Sequence, residues 1–150
     1  MFAPYEDLLS ALAEEVGLEA SSLISSQEIV IDELPISLKL EGEGEGEQAE
    51  LRLCCQLGIP SKARWALAIR TMLQANHLWT GTGGATLGML ENDMVSLSVR
   101  RLLSKLNADR LAVLLAKTAD IGLAWQDFIT QDQAVPVMPE FFHEASLVRV

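Results

Sequence analysis

The chain has 150 residues, 11 lysines and arginines against 21 aspartates and glutamates, a formal net charge of -10, and 49% apolar side chains. At this length one domain is the default, and folding buries roughly 68–70% of the unfolded surface, enough core to need no disulfide or metal staple. The acidic balance argues against a general nucleic-acid or anionic-membrane binder, because both would repel it at long range. No apolar run approaches the ~18 residues of a membrane span, and the opening Met1-Phe2-Ala3-Pro4-Tyr5-Glu6-Asp7 lacks the basic region of a signal peptide. The expectation is a small, acidic, cytoplasmic protein.

Charge is unevenly spread. Residues 1–60 carry 13 acidic and 2 basic side chains, 61–117 carry 3 acidic and 8 basic, and 118–150 carry 5 acidic and 1 basic. Such asymmetry hints at opposed surfaces, one of which meets a partner. Cys54 and Cys55 are neighbours. Their Cα atoms lie about 3.8 Å apart, too close for an unstrained bridge. On a strand they point to opposite faces, one thiol buried and one exposed.

The first element is a helix. Pro4 suits its first turn, Tyr5, Leu8, Leu9, Leu12, Ala13 and Val16 form one apolar stripe, and Gly17 ends it. Strands follow. Ile29-Val30-Ile31 is a short β-branched run, and Ile36, Leu38 and Leu40 alternate with polar residues, as do Leu51, Leu53, Cys55 and Leu57. Between them, the alternating glycines and repelling carboxylates of residues 41–47 predict a mobile hairpin tip without the ligand pattern of a calcium loop.

A second helix is expected from Ser61, as N-cap, to about His77. Trp65, Ile69, Met72 and Leu73 fall on one side of it, with Leu67 and Leu78 nearly opposite. A helix apolar on two sides needs two covers, here the sheet and a second subunit. The glycine-rich stretch 79–85 leads to a hairpin, Thr86 to Leu90 and Val95 to Val99, turning at Glu91-Asn92-Asp93. A third helix begins near Asn107 or Asp109, its stripe running from Leu111 to Ile129. Residues 131–150 form an apolar tail that should dock on the domain, 1–130, or on a partner. The expected class is α+β: a twisted antiparallel sheet of about five strands with three helices, in the order α-β-β-β-α-β-β-α.

Motifs of chemistry are missing. Residues 81–88 lack the lysine of a phosphate loop, and Thr86 stands where a dinucleotide fingerprint needs glycine. His77 and His143 are the only histidines, and neither has chelating spacing with a cysteine. A cysteine–histidine pair meeting in space has no nucleophile turn to support it. The reading is of a protein that is not an enzyme, with no cofactor and no metal.

Several stretches resemble the class I type III secretion chaperones, the Tir-chaperone (CesT-like) family: Ala68-Ile69-Arg70-Thr71-Met72-Leu73-Gln74-Ala75-Asn76, then Thr82 to Gly88, Val95 to Val99, Leu106 to Leu111, and Ala124-Trp125. The Leu8-Leu9 helix closing at Val16-Gly17-Leu18 also suits it, and the likeness spans about residues 5–130. The Glu-Gly hairpin and the tail are departures from the family pattern. The resemblance implies a cytoplasmic bacterial homodimer that binds the N-terminal segment of a secreted effector in extended form and keeps it secretion-competent. A regulatory alternative is a partner-switching protein that sequesters an anti-activator and couples secretion to transcription. Candidate groove residues are Leu8, Leu12, Ile29, Ile31, Leu38 and Leu40, although alternation reports burial without naming what covers it. For the dimer the choice falls on Leu67, Thr71, Gln74 and Leu78, leaving Ile69, Met72, Leu73 and Asn76 to the subunit core.

Overall fold

A computed structural model describes residues 3–42 and 48–131. The centre of the Glu-Gly hairpin tip, 43–47, and the tail from 132 onward lie outside the described residues. Helix α1 (Ala3–Val16) buries Tyr5, Leu8, Leu9, Leu12 and Ala13, as its spacing predicts. Its last expected stripe residue, Val16, is exposed instead. Gly17 adopts φ +77°, which lets the Leu18 N–H return to the Ala13 carbonyl at 2.8 Å and closes the helix.

A short helix, α2 (Ala20–Ser26), follows and was not expected. Four of its seven residues are serines, poor helix formers, and only Leu23 is buried, so no period announces it. Then come β1 (Glu28–Ile31), β2 (Leu34–Glu41), β3 (Glu50–Gly58), α3 (Trp65–Asn76), β4 (Thr86–Met89), β5 (Val95–Leu102) and α4 (Ala108–Thr130). The class is α+β, with a five-stranded antiparallel sheet in the order β1-β2-β3-β5-β4. Among the described residues there are four α-helices instead of three, α2 being the addition.

Two compact units are distinguishable: Met1–Cys54 with Arg100–Ala119, and Cys55–Val99 with Asp120–Val150. In the first, β1 and β2 join through Asp32 and Glu33, both at positive φ (49° and 68°), as a mirror-image two-residue turn requires. Leu34, Ile36 and Leu38 alternate inward, and on β3 Leu53, opposite Leu38, and Leu51, opposite Leu40, do the same. Pro35 pairs only with Val30, the β2–β3 register starting at Ser37, so its missing N–H is not called on. Glu41 closes the base of the hairpin on Arg52 at 2.9 Å and Arg100 at 3.6 Å. Asn107 caps α4, its Oδ1 accepting from the Arg110 N–H at 2.8 Å. Cys54 is half-buried, and burial pushes its thiol up against the opposing pull of Arg52.

In the second unit, α3 begins at Trp65, not at Ser61. Residues 62–64 form a turn closed by the Arg64 N–H on the Ser61 carbonyl at 3.0 Å. The Ser61 hydroxyl has no hydrogen-bond partner among the described residues, so it caps nothing. The division of α3 also differs from expectation. Ala68, Thr71, Met72 and Ala75 are its buried face, at i, i+3, i+4 and i+7. Thr71 therefore belongs to the subunit core at 2% exposure, whereas Leu73, assigned there from sequence, is 67% exposed. The glycine-rich connection is a tight one, held where the Trp125 indole N–H donates to the Gly81 carbonyl at 3.0 Å. Trp125 packs edge-on to Phe128, ring centroids 5.6 Å apart. At Gly58, φ +123°, an added Cβ would lie 2.7 Å from the Thr130 methyl, so β3 and α4 approach there only as glycine permits.

Candidate functional site: an open sheet edge beside a cleft

The outer strands of the sheet are β1 and β4. Each presents a row of main-chain donors and acceptors that must be paired, covered or left for another chain. Register says which groups face outward. The Leu38 N–H donates to the Gln27 carbonyl at 2.8 Å, so Gln27 and Leu38 are a bonded pair. Stepping by two, Ile29–Ile36 and Ile31–Leu34 are bonded as well, and Glu28 and Val30 turn their N–H and C=O away from β2. The Glu28 N–H meets the Ser26 hydroxyl at 3.3 Å. Val30 stands at the outer edge with its side chain 59% exposed.

The other edge is managed differently. The Leu90 N–H donates to Met94 at 2.9 Å, which by the same stepping directs Leu87 and Met89 outward on β4. There the Asn76 side chain, at the end of α3, takes both groups of Leu87: its Oδ1 accepts from the N–H at 2.9 Å and its Nδ2 donates to the carbonyl at 2.8 Å. Asn76 thus serves as a one-residue substitute strand. Among the described residues no side chain does the same for Val30 on the β1 edge.

Beside β1 lies a cleft of about 440 Å³, lined by Leu18, Glu19, Ser22, Leu23, Ser26, Glu28, Ile29 and Val30. Its floor is apolar, from Leu23 and Ile29, and its rim carries the Glu19 and Glu28 carboxylates with the serine hydroxyls. The short helix α2 forms one wall. Its C-cap, Gln27 at φ +51°, is held by the Tyr5 hydroxyl, which lies 3.0 Å from the Gln27 side-chain oxygen and 3.3 Å from the Leu38 carbonyl. Burial raises Tyr5 to about 12, so the hydroxyl stays a donor throughout the physiological range. An open edge with an apolar floor alongside can accept an extended peptide: main-chain bonds hold it and alternate side chains enter the cleft.

The groove residues expected from sequence are only partly here. Leu8, Leu12 and Leu38 are buried in the core of the first unit and have no open surface to give. Ile29 is buried but lines the cleft, while Ile31 and Leu40 are half-buried and lie outside its lining. Leu18, Leu23 and Val30 were missed. The Val30 run was visible as a strand, but nothing local says that a strand is terminal in its sheet. Of the residues expected at the dimer seam, Leu78 is 74% exposed and Gln74 is exposed, whereas Leu67 is half-buried. Leu78 and Trp79 leave the helix at φ +53° and +55°, a left-handed geometry in which both apolar side chains are held out to solvent. Among the described residues no group of histidine, cysteine or carboxylate side chains could hold a metal, and no helix is long and apolar enough to cross a membrane.

No family profile and no curated protein matches the chain in sequence. Solved structures do match its fold. A chain of the ExsC–ExsE complex superposes with TM-score 0.70 at 21% identity, covering 89% of this chain and 98% of that one. A chain of the HopA1–SchA chaperone–effector complex gives TM-score 0.66 at 17% identity, covering 83% of this chain and 94% of that one. A chain from the Yersinia pestis type III secretion chaperone SycH in complex with a stable fragment of YscM2 gives 0.60 at 19%, covering 81% and 98%. At these identities the likeness is one of fold.

Proposed function

We propose that this chain is a cytoplasmic type III secretion chaperone of a bacterium, which binds the N-terminal segment of a secreted effector in extended form and catalyses nothing. The observation that carries the reading is the unequal treatment of the two sheet edges. Asn76 takes both outward main-chain groups of Leu87 on β4, whereas among the described residues no side chain takes those of Val30 on β1, which runs beside an apolar-floored cleft. The fold it shares with chains from a chaperone–effector complex and a secretion-chaperone complex supports the same use. An effector strand adding to β1 gains bonds to Val30 and seats an apolar side chain on Leu23 and Ile29. The formal charge of -10 disfavours pairing of this open edge with the same edge of a second copy. No observation on the chain favours the regulatory partner-switching reading over this one.

The working form is a homodimer. Trp65, Leu73, Leu78 and Trp79 are exposed apolar side chains on and just beyond α3, with Gln74 among them. Large apolar side chains exposed along one stretch of chain call for a cover, and a second copy of the same stretch is the cover that a two-fold axis supplies. The test is native co-purification from the source bacterium, with light scattering to weigh the complex. A dimer carrying one effector segment supports the reading, and a partnerless monomer refutes it.

A further inference from the structure

The charge around the cleft is of one sign. Residues 3–33, which make up α1, α2, β1 and the turn that follows, hold eight aspartates and glutamates and no lysine or arginine. The next cation along the chain, Lys39, lies directly opposite Arg52 on β3. Glu19 and Glu28 stand on the cleft rim, and among the described residues neither is ion-paired with a cation. Glu28 is exposed, and its partner on β2 is the uncharged Ser37. Its main chain is already met by the Ser26 hydroxyl, which accepts from the Glu28 N–H and donates to the Glu28 carbonyl, both at 3.3 Å. Glu28 is therefore left to act through its side chain, whereas Val30 offers its main chain.

Three consecutive residues of β1 thus ask different things of an added strand. A residue opposite Val30 takes the two outward main-chain bonds. Its neighbour, opposite Ile29, points to the other face, where the cleft floor of Leu23 and Ile29 favours an apolar side chain. The next, opposite Glu28, returns to the Glu28 face, where a cation is attracted and an anion repelled. A second copy of this edge does not meet that demand, since edge-to-edge pairing brings two acidic segments together. We propose that β1 selects an effector strand in which the residue entering the cleft is apolar and an adjacent residue is lysine or arginine. This selection rests on strand addition at β1 and adds the chemistry of the strand. A basic segment is drawn in by the carboxylates around the cleft before its main-chain bonds form.

The test titrates two synthetic strand-forming peptides of about nine residues into the full chain, with binding read from the Val30 amide resonance. Each has one central leucine, flanked on both sides by lysine in the first and by glutamate in the second. The flanks are symmetric, so either strand direction sets a charge opposite Glu28. At about 0.01 M ionic strength the lysine peptide should bind at least about 10-fold more tightly than its twin. At about 1 M salt, where the screening length is ~3 Å, the difference should shrink to about 3-fold or less. Glu28→Lys, a change at an exposed position, should close or reverse the gap, and Glu28→Gln should narrow it. Equal affinities, with the Val30 amide moving for both peptides, overturn the charge selection and leave strand addition standing. A Val30 amide that moves with neither peptide overturns strand addition at β1 itself. A gap unchanged in E28K overturns the role of Glu28.

Discussion

Proline at position 30 tests the open edge and the register together. The Val30 N–H faces away from β2, and its cross-strand partner is Pro35, so Val30→Pro sacrifices no bond within the sheet. An edge position is where a strand tolerates proline. With the Val30 side chain already 59% exposed, the stability change should stay within about 1 kcal/mol, the span of strand propensities. An added effector strand, however, loses one main-chain bond worth about 0.5–1.5 kcal/mol and meets the proline ring in its path. The dissociation constant should rise about 10- to 100-fold, or roughly 1.4–2.8 kcal/mol. Ile29→Pro is the counterpart. Its N–H belongs to the bonded pair with Ile36 and its side chain is buried. A broken ladder bond, a stranded carbonyl and a lost apolar side chain together cost about 3–6 kcal/mol, a large part of ordinary domain stability. Urea unfolding followed by circular dichroism measures the first quantity, and titration calorimetry with the co-purified effector segment measures the second. Full affinity in a well-folded V30P protein would refute strand addition at β1, and a stable I29P protein would refute the register.

Asn76→Ala removes both bonds to Leu87 and leaves two buried main-chain groups unpaired, a loss of about 2–4 kcal/mol. Asn76→Asp should be worse, since its carboxylate faces the Leu87 carbonyl, and thermal melts at fixed protein concentration rank the three proteins. Leu73→Glu with Leu78→Glu alters only exposed positions, so the fold should hold within about 1 kcal/mol, while light scattering should read a monomer; a persisting dimer mass places the seam elsewhere. Glu15 is raised by its hydrogen bond to Asp109, then by burial and by the Asp109 charge. A raised carboxyl favours the fold below its unfolded value and loses that contribution as pH rises through the folded value. Glu15→Gln should therefore flatten the decline in urea midpoint from pH 4 to pH 7, and parallel curves for the two proteins would show that the pair does not matter.

Local pattern was enough for much of the fold. The apolar stripe of α1 from Tyr5 to Ala13, the alternation along β2, β3 and β5, and a start of α4 near Asn107 or Asp109 were legible, because each is set by how a chain of one periodicity hides one face or caps its first turn. The tight glycine connection at 79–85 was also legible, since no phosphate-binding residue accompanies it. Three things were not. Helix α2 is built from serines and exists because Leu23 is buried and Gln27 is tied to Tyr5 and Leu38, contacts with residues remote in sequence. The face of α3 that is buried could not be chosen, because apolar side chains lie on both sides and small Ala68, Thr71 and Ala75, not the large ones, meet the core. The site itself was the least visible. Composition and pattern determined an acidic α+β protein, but an edge strand has the same local sequence as a central one. Which strand is last in the sheet, and whether an asparagine from a helix closes it, depends on pairing between distant segments, and only the tertiary structure decides that.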